Sequence, residues 1–150
     1  AGPAGMVGGQ VQDILSEDKE PDKETLLYIH KHKTGALIAS SVSMGGILAG
    51  ADSATLMALR KYGEALGLAF QIIDDILDVR GDEQLLGKPV GSDQDKHKMT
   101  YPSLYGPDAS MGKAETLISD SIAALDPLRA KGMDTSVLEG IAGYILRRTH

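Results

Sequence analysis

A cluster of acidic residues is the strongest chemical signal in this sequence. Asp74, Asp75 and Asp78 fall within one short segment, and Gln71 precedes them by three residues. On an α-helix Gln71, Asp74 and Asp78 share one stripe, while Asp75 projects about 100° around the axis. Carboxylates without His or Cys partners favour a hard cation such as Mg²⁺, which completes its shell with water and substrate phosphates. The cluster therefore predicts a Mg²⁺ site, with a solvated acidic helix end as the alternative interpretation.

Three lysines accompany the acids. Lys33 precedes Thr34 in an apolar segment, and Lys88 and Lys98 follow the acidic cluster. One lysine alone is more often a surface charge. Lysines that bind phosphate oxygens, together with acids that bind a metal and apolar helices around them, indicate a site for a diphosphate attached to a hydrophobic tail.

The elements that must position these side chains are helices. Apolar residues recur at three- and four-residue spacing, and no segment alternates convincingly at period two. The predicted helices cover residues 5–15, 22–49, 53–80, 109–131 and 136–148. Residues 81–102 are rich in Gly and Pro and predict an ordered loop. We expect Gly46 and Gly50 to let a neighbouring helix approach closely. The fold class is all-α, a helical bundle.

Composition narrows the function further. The 150 residues suit one domain, carry a net charge of −6 and include no Cys, no Trp and one Phe. The net negative charge disfavours binding to nucleic acids and to anionic membranes. The lack of Cys excludes disulfide scaffolds and fits a cytoplasmic protein. Residues 35–51 are uncharged, but their Ser and Gly content favours a buried bundle helix over a membrane span.

Five segments, in the same order, resemble the trans-isoprenyl diphosphate synthases, or polyprenyl synthetases, and most of all the bacterial farnesyl diphosphate synthases. They are residues 5–13 (GMVGGQVQD), 29–38 (IHKHKTGALI), 70–78 (FQIIDDILD), 86–93 (LGKPVGSD) and 98–102 (KMTYP). The resemblance implies an isoprenoid-synthase bundle, with residues 1–150 as the C-terminal part of the polyprenyl synthetase domain. It also implies a homodimer for the full-length protein.

The resemblance implies a Mg²⁺-dependent condensation of an allylic diphosphate, dimethylallyl or geranyl, with isopentenyl diphosphate. The allylic diphosphate leaves, the double bond of isopentenyl diphosphate attacks the carbocation, and proton loss gives farnesyl diphosphate. By this resemblance the metal site is Asp74, Asp75 and Asp78, with Asp74 the direct ligand; the diphosphate site is Lys33, Lys88 and Lys98; and the catalytic residues are Lys33, Thr34 and Gln71, with Thr34 and Gln71 presenting oxygens to the developing cation.

The sequence departs from the family pattern in one respect. The family's first aspartate-rich motif and the arginines after it have no counterpart in residues 1–150, and the chain begins Ala-Gly-Pro. We therefore expect a C-terminal half that is inactive alone. A geranylgeranyl or other polyprenyl diphosphate synthase, and a non-catalytic helical subunit of a prenyltransferase complex, remain alternatives. A terpene cyclase is disfavoured by the lysine-containing segments. A further alternative is a soluble helical bundle whose acidic loop only buffers cations.

Overall fold

The structure, a computed structural model, describes residues 2–17, 19–20, 22–80 and 99–148. Within these ranges the regular structure is helical throughout, which confirms the all-α prediction. Lys88 and Lys98 lie outside the described residues. The helices are α1 (Met6–Leu15), α2 (Lys23–His30), α3 (Ala36–Leu48), α4 (Ser53–Arg80), α5 (Tyr101–Tyr105), α6 (Pro107–Ala123), α7 (Asp126–Arg129) and α8 (Ser136–Arg147), and a π-helical turn, Lys31–Gly35, joins α2 to α3.

The 28-residue helix α4 is the centre of the fold. It packs against α3 on one side and α6 on the other, and α5, α7 and α8 also contact it. Its apolar residues recur on several faces, so it is surrounded rather than amphipathic. The core is built of Leu66, Ala69, Ile72, Ile73 and Ile76 from α4, Ala114, Leu117 and Ile118 from α6, and Ala142 and Ile145 from α8. This packing fixes the helix that carries the acidic cluster.

The predicted helix over residues 22–49 is two helices joined by the π-helical turn. Its start is as expected, because the Thr25 amide donates to Asp22 Oδ2 at 2.8 Å and lowers the pKa of that carboxyl. The interruption at Lys31–Gly35 is not visible in the helical spacing. A π-turn widens the backbone by one residue per turn and often marks a functional site.

Two further helix predictions need correction. The helix expected over residues 109–131 ends at Ala123 and is followed by the short α7. Gly46 does allow close packing, since a Cβ there would lie 2.6 Å from Leu59 Cδ1 of α4. Gly50 does not, since a Cβ there would meet nothing within 4 Å; its φ of +71° instead suits the turn before α4.

Helices α1 and α3 each expose four large apolar side chains on one face. On α1 these are Val7, Val11, Ile14 and Leu15, and on α3 they are Leu37, Met44, Ile47 and Leu48. The spacing keeps each set on one side of its helix. None of the helices in the described ranges is long and apolar enough to cross a bilayer.

Candidate active site

One cavity collects the residues that the sequence selected. Its volume is about 300 Å³, and it lies between α1, α2, the π-helical turn, α4 and the segment before α5. Its walls are Asp13, Ile29, His30, Lys33, Thr34, Phe70, Gln71, Asp74, Asp75 and Met99. Residues separated by up to 86 positions therefore meet at one place. This volume is at the lower end of the range typical of small-molecule sites.

Lys33 enters the cavity from the π-helical turn. Its Nζ lies 2.7 Å from Asp13 Oδ2 on α1, and about a third of the Lys33 side chain is exposed. This ion pair orients the ammonium group without burying it. A partly exposed cation at the mouth of a cavity can still bind an anionic group through its remaining hydrogens.

Thr34 and Gln71 form another part of the cavity wall. The Thr34 hydroxyl donates to Gln71 Oε1 at 2.9 Å, which ties the π-helical turn to α4. Gln71 Nε2 donates in turn to Asp75 Oδ1 at 3.3 Å. The predicted pair of polar oxygens is therefore present, and its orientation is set by a hydrogen-bonded chain rather than by solvent.

The two adjacent aspartates have different environments. Asp75 is 3% exposed, and its Oδ2 accepts a hydrogen bond of 2.8 Å from the Tyr101 amide and lies 3.2 Å from His30 Nε2. Asp74 is half-buried at the cavity wall, and its Oδ1 lies 3.9 Å from Arg148 Nη2. Asp74 is thus the carboxylate of this pair that is accessible from the cavity.

Asp78 lies outside the cavity, one helical turn beyond Asp74. The helical stripe predicts Gln71, Asp74 and Asp78 on one face, yet Asp78 is fully buried and does not line the cavity. Asp75 lines it instead, because α2 and the segment before α5 pack on that side of α4. The assignment of Asp78 to the metal site remains a prediction.

Close glycine contacts bring the backbone elements together. A Cβ on Gly9 of α1 would lie 2.3 Å from the Lys33 amide nitrogen, and one on Gly67 of α4 would lie 2.6 Å from Gly35 Cα. These distances are too short for any side chain. The π-helical turn is therefore held between two helices at positions that only glycine permits, which sets the places of Lys33 and Thr34.

Four further site residues were not selected by the sequence patterns. Asp13 and Tyr101 lie inside the matching segments, but nothing in helical spacing indicates their contacts with Lys33 and Asp75. His30 also lies inside a matching segment, and spacing does not indicate its contact with Asp75 either. Arg148 is near the end of the described chain, and its guanidinium carbon lies 5.2 Å from the centre of the Phe70 ring. Only the tertiary structure reveals these four.

The described residues fit a Mg²⁺ ion that substrate helps to bind. Among them no three His, Cys, Asp or Glu side chains converge into a ready-made metal cage. Asp74 and Asp75 nevertheless place carboxylate groups at the cavity, and Mg²⁺ is commonly held by one or two carboxylates together with water and substrate phosphates. A larger cavity of about 640 Å³ lies elsewhere, beside Lys31, His32 and Arg60, and contains none of the clustered aspartates.

Comparison with known proteins decides the family. Residues 4–127 match the Polyprenyl synthetase family. The chain belongs to the polyprenyl synthetase family. It is 47% identical over 149 residues to farnesyl diphosphate synthase of Escherichia coli (strain K12), covering 99% of this chain and 50% of that protein. It is 43% identical over 150 residues to farnesyl diphosphate synthase of Geobacillus stearothermophilus, again covering 50% of the relative. The chain thus spans about half the length of these curated relatives.

Solved structures agree with this family membership. A Helicobacter pylori geranyltransferase, solved in complex with magnesium and isoprenyl diphosphate, superposes with a TM-score of 0.78 at 32% identity, covering 95% of this chain and 46% of the other. Heptaprenyl diphosphate synthase of Staphylococcus aureus has a TM-score of 0.85 at 21% identity, over 97% and 57% of the two chains, and shows that the fold is shared. The resemblance found in the sequence is confirmed.

Proposed function

We propose that this polyprenyl synthetase chain supplies part of the site of a prenyltransferase that joins an allylic diphosphate to isopentenyl diphosphate. One observation carries the proposal: a single cavity brings Lys33 and Asp74 together with the hydrogen-bonded pair of Thr34 and Gln71. The first two suit a diphosphate and its metal, and the second two suit an electron-deficient carbon. The preferred product is farnesyl diphosphate, in keeping with the names of the bacterial relatives.

Lys33 binds the oxygens of the allylic diphosphate in this proposal. Asp13 keeps its ammonium group at the cavity mouth. Asp74, with Asp75 beside it, would hold Mg²⁺, which when bound neutralises charge on the departing diphosphate. The magnesium and isoprenyl diphosphate in the Helicobacter pylori structure support this assignment. Lys88 and Lys98, outside the described residues, keep their proposed roles at the same diphosphate, and Asp78 keeps its proposed role in the metal site.

The Thr34 hydroxyl oxygen and the Gln71 amide stabilise the allylic cation. As the carbon–oxygen bond breaks, the electron pair leaves with the diphosphate, and positive charge develops on the allylic carbons. Fixed dipoles aimed at that charge lower the barrier because they need no reorganisation. Attack by the double bond of isopentenyl diphosphate forms the new carbon–carbon bond, and loss of a proton restores a neutral chain five carbons longer.

Geranylgeranyl diphosphate is the second product to be considered. A geranylgeranyl diphosphate synthase of Cyanophora paradoxa is 45% identical to this chain over 119 residues. None of the described cavity residues distinguishes a C15 from a C20 product. The identity to the E. coli enzyme, extending over 99% of the chain, favours farnesyl diphosphate.

The test is a product assay on the complete product of the gene that encodes this chain. Radiolabelled isopentenyl diphosphate is supplied with geranyl diphosphate and Mg²⁺, and the dephosphorylated products are separated by chain length. We expect C15 farnesol as the main product. C20 product as the main species supports the second candidate, while a folded protein that incorporates no label contradicts prenyl transfer itself.

A further inference from the structure

His30 is a buried histidine with one nitrogen in use. Its residue exposure is 3%, and Nε2 lies 3.2 Å from Asp75 Oδ2. The other nitrogen, Nδ1, is buried and has no hydrogen-bond partner among the described residues. The polar contact of the ring is therefore the one that Nε2 makes with the carboxylate. That nitrogen must carry the proton, because a carboxylate accepts and does not donate.

Asp75 is held from three directions. Its Oδ2 accepts a hydrogen bond from the Tyr101 amide at the start of α5 and lies 3.2 Å from His30 Nε2 of α2. Its Oδ1 accepts a hydrogen bond from Gln71 of α4. Because the three contacts come from three different helices, they restrict rotation of the carboxylate group. Asp75 therefore both lines the cavity and connects α2, α4 and α5.

The orientation of the Gln71 amide follows from Asp75. A carboxylate requires the amide NH₂ on its side, which turns Oε1 toward Thr34. The reverse orientation would place two acceptors in contact. The Thr34 hydroxyl then commits its proton to Gln71 Oε1. Its lone pairs become the part of the hydroxyl that other groups in the cavity can meet.

We infer that His30 is a positioning residue for prenyl transfer, acting through Asp75 on Gln71 and Thr34. This inference rests on the proposed function and deepens it. His30 Nε2, 3.2 Å from Asp75 Oδ2, is one end of a chain that continues through the hydrogen bonds from Gln71 to Asp75 and from Thr34 to Gln71. Loss of this end lets the carboxylate rotate, and the oxygens that meet the developing cation lose their orientation. Lys33 is held by Asp13 and is outside this chain, so its contact with the diphosphate does not depend on His30.

A matched pair of variants separates this role from simple packing. The amide nitrogen of Gln can occupy the place of His Nε2, whereas the shorter Asn reaches only as far as Nδ1, the nitrogen without a partner. The ring also stacks at 6.3 Å from Tyr101, a contact that both variants lose equally. A packing role therefore predicts similar behaviour for the two, and a positioning role predicts that His30→Gln is the better enzyme.

The kinetic test uses the complete gene product. We expect His30→Asn to lower kcat about 10- to 100-fold, the scale of misplaced catalytic groups, with the KM for geranyl diphosphate within about twofold of wild type. His30→Gln should recover most of kcat. In a Gln71→Leu background, His30→Asn should cause no further loss, because the group it positions is already absent. Equal kcat for the Gln and Asn variants, or additive losses in the double variant, would overturn the inference.

A second readout needs no turnover. With ¹⁵N-labelled Gln and His, the side-chain amide of Gln71, assigned with Gln71→Glu, should shift in His30→Asn and return toward the wild-type position in His30→Gln. The ring nitrogen Nε2 of His30 should carry the proton in the wild type. An inactive wild type contradicts the proposed function alone, whereas an unchanged Gln71 signal in both variants contradicts the role of His30. Circular dichroism confirms that each variant is folded before either readout is interpreted.

Discussion

Two neighbouring aspartates with different surroundings show what single residues contribute here. Asp74 lines the cavity and is partly exposed, whereas Asp75 is buried and held by His30, Gln71 and the Tyr101 amide. Sequence spacing predicts the acidic set and its helix, because both depend on neighbours along one element. Spacing does not predict which of the two aspartates is buried. That difference depends on contacts with α2 and α5, which come from distant parts of the chain.

Thr34 provides a residue-scale prediction. Thr34→Val keeps the shape of the side chain but removes the hydroxyl, and it leaves Gln71 Oε1 without its donor. We expect kcat to fall at least about tenfold, because a fixed dipole near the developing charge is lost. Thr34→Ser keeps the oxygen and should retain most of kcat. Steady-state kinetics with geranyl diphosphate make the comparison, and equal losses in the two variants would show that the hydroxyl is not the active feature.

The π-helical turn is the main element that sequence reasoning missed. Helix starts at Asp22 and Ser53 and the break near Gly132 follow from caps and glycine and are predictable from local sequence. The π-turn depends on contacts of Gly9 and Gly67, which lie 24 positions before and 34 positions after Lys33. The spacing of apolar residues along one segment does not predict contacts between residues so far apart in sequence.

Glycine substitutions test this arrangement of elements. Gly67→Ala places a Cβ 2.6 Å from Gly35 Cα, so α4 and the π-helical turn must separate. We expect a loss of about 1–3 kcal/mol in the free energy of unfolding and a lower kcat. Gly45→Ala is the control, because nothing lies within 4 Å of that position on α3. It should stabilise the protein by about 0.5–1 kcal/mol through helix propensity. Urea titrations measure both, and a Gly67→Ala protein as stable as Gly45→Ala would contradict the close contact.

Tyr62 links α4 to α8 and gives a pH-dependent prediction. Its hydroxyl donates to the Leu138 carbonyl at 2.7 Å, and burial raises its pKa to about 12. Between pH 10 and pH 12 the unfolded tyrosine loses its proton while the folded one keeps it, so stability falls as pH rises, by up to about 1.4 kcal/mol per pH unit.

Tyr62→Phe removes both the hydrogen bond and this titration. At neutral pH the variant should be less stable by about 1 kcal/mol. The difference from wild type should shrink above pH 10 and can reverse. Denaturant titrations at pH 8 and pH 11 report it. A difference that stays constant between these two values would mean that the folded and unfolded hydroxyls titrate alike.

At the scale of the whole molecule, two exposed apolar faces are the main feature of the described chain. They lie on α1 and α3 and carry four large apolar residues each. Apolar patches of this kind mark surfaces that associate. The relatives are about twice as long as this chain, and we propose that the remaining half of the bundle covers these faces in the complete protein.

The 150-residue chain alone should therefore self-associate and show no turnover. Sedimentation velocity should detect species larger than the monomer, and Val11→Glu combined with Ile47→Glu should shift them toward monomer. Ser119→Glu, on the exposed side of α6, is the matched control and should leave the distribution unchanged. A chain that is monomeric at micromolar concentration would contradict the association, and steady product formation by it would show that these residues suffice for catalysis.

The assignment of the cavity as a prenyl-transfer site is tested most directly by the loss of its accessible carboxylate. Incorporation of isopentenyl diphosphate into product is measured for the complete gene product and for two variants, Asp74→Ala and His32→Ala. His32 lines the other cavity and binds the Tyr28 carbonyl at 2.8 Å, so it is a fair control. We predict that Asp74→Ala removes most of the activity, at least about 100-fold in kcat/KM, and that His32→Ala changes it less than about threefold. Equal effects of the two substitutions would contradict the account.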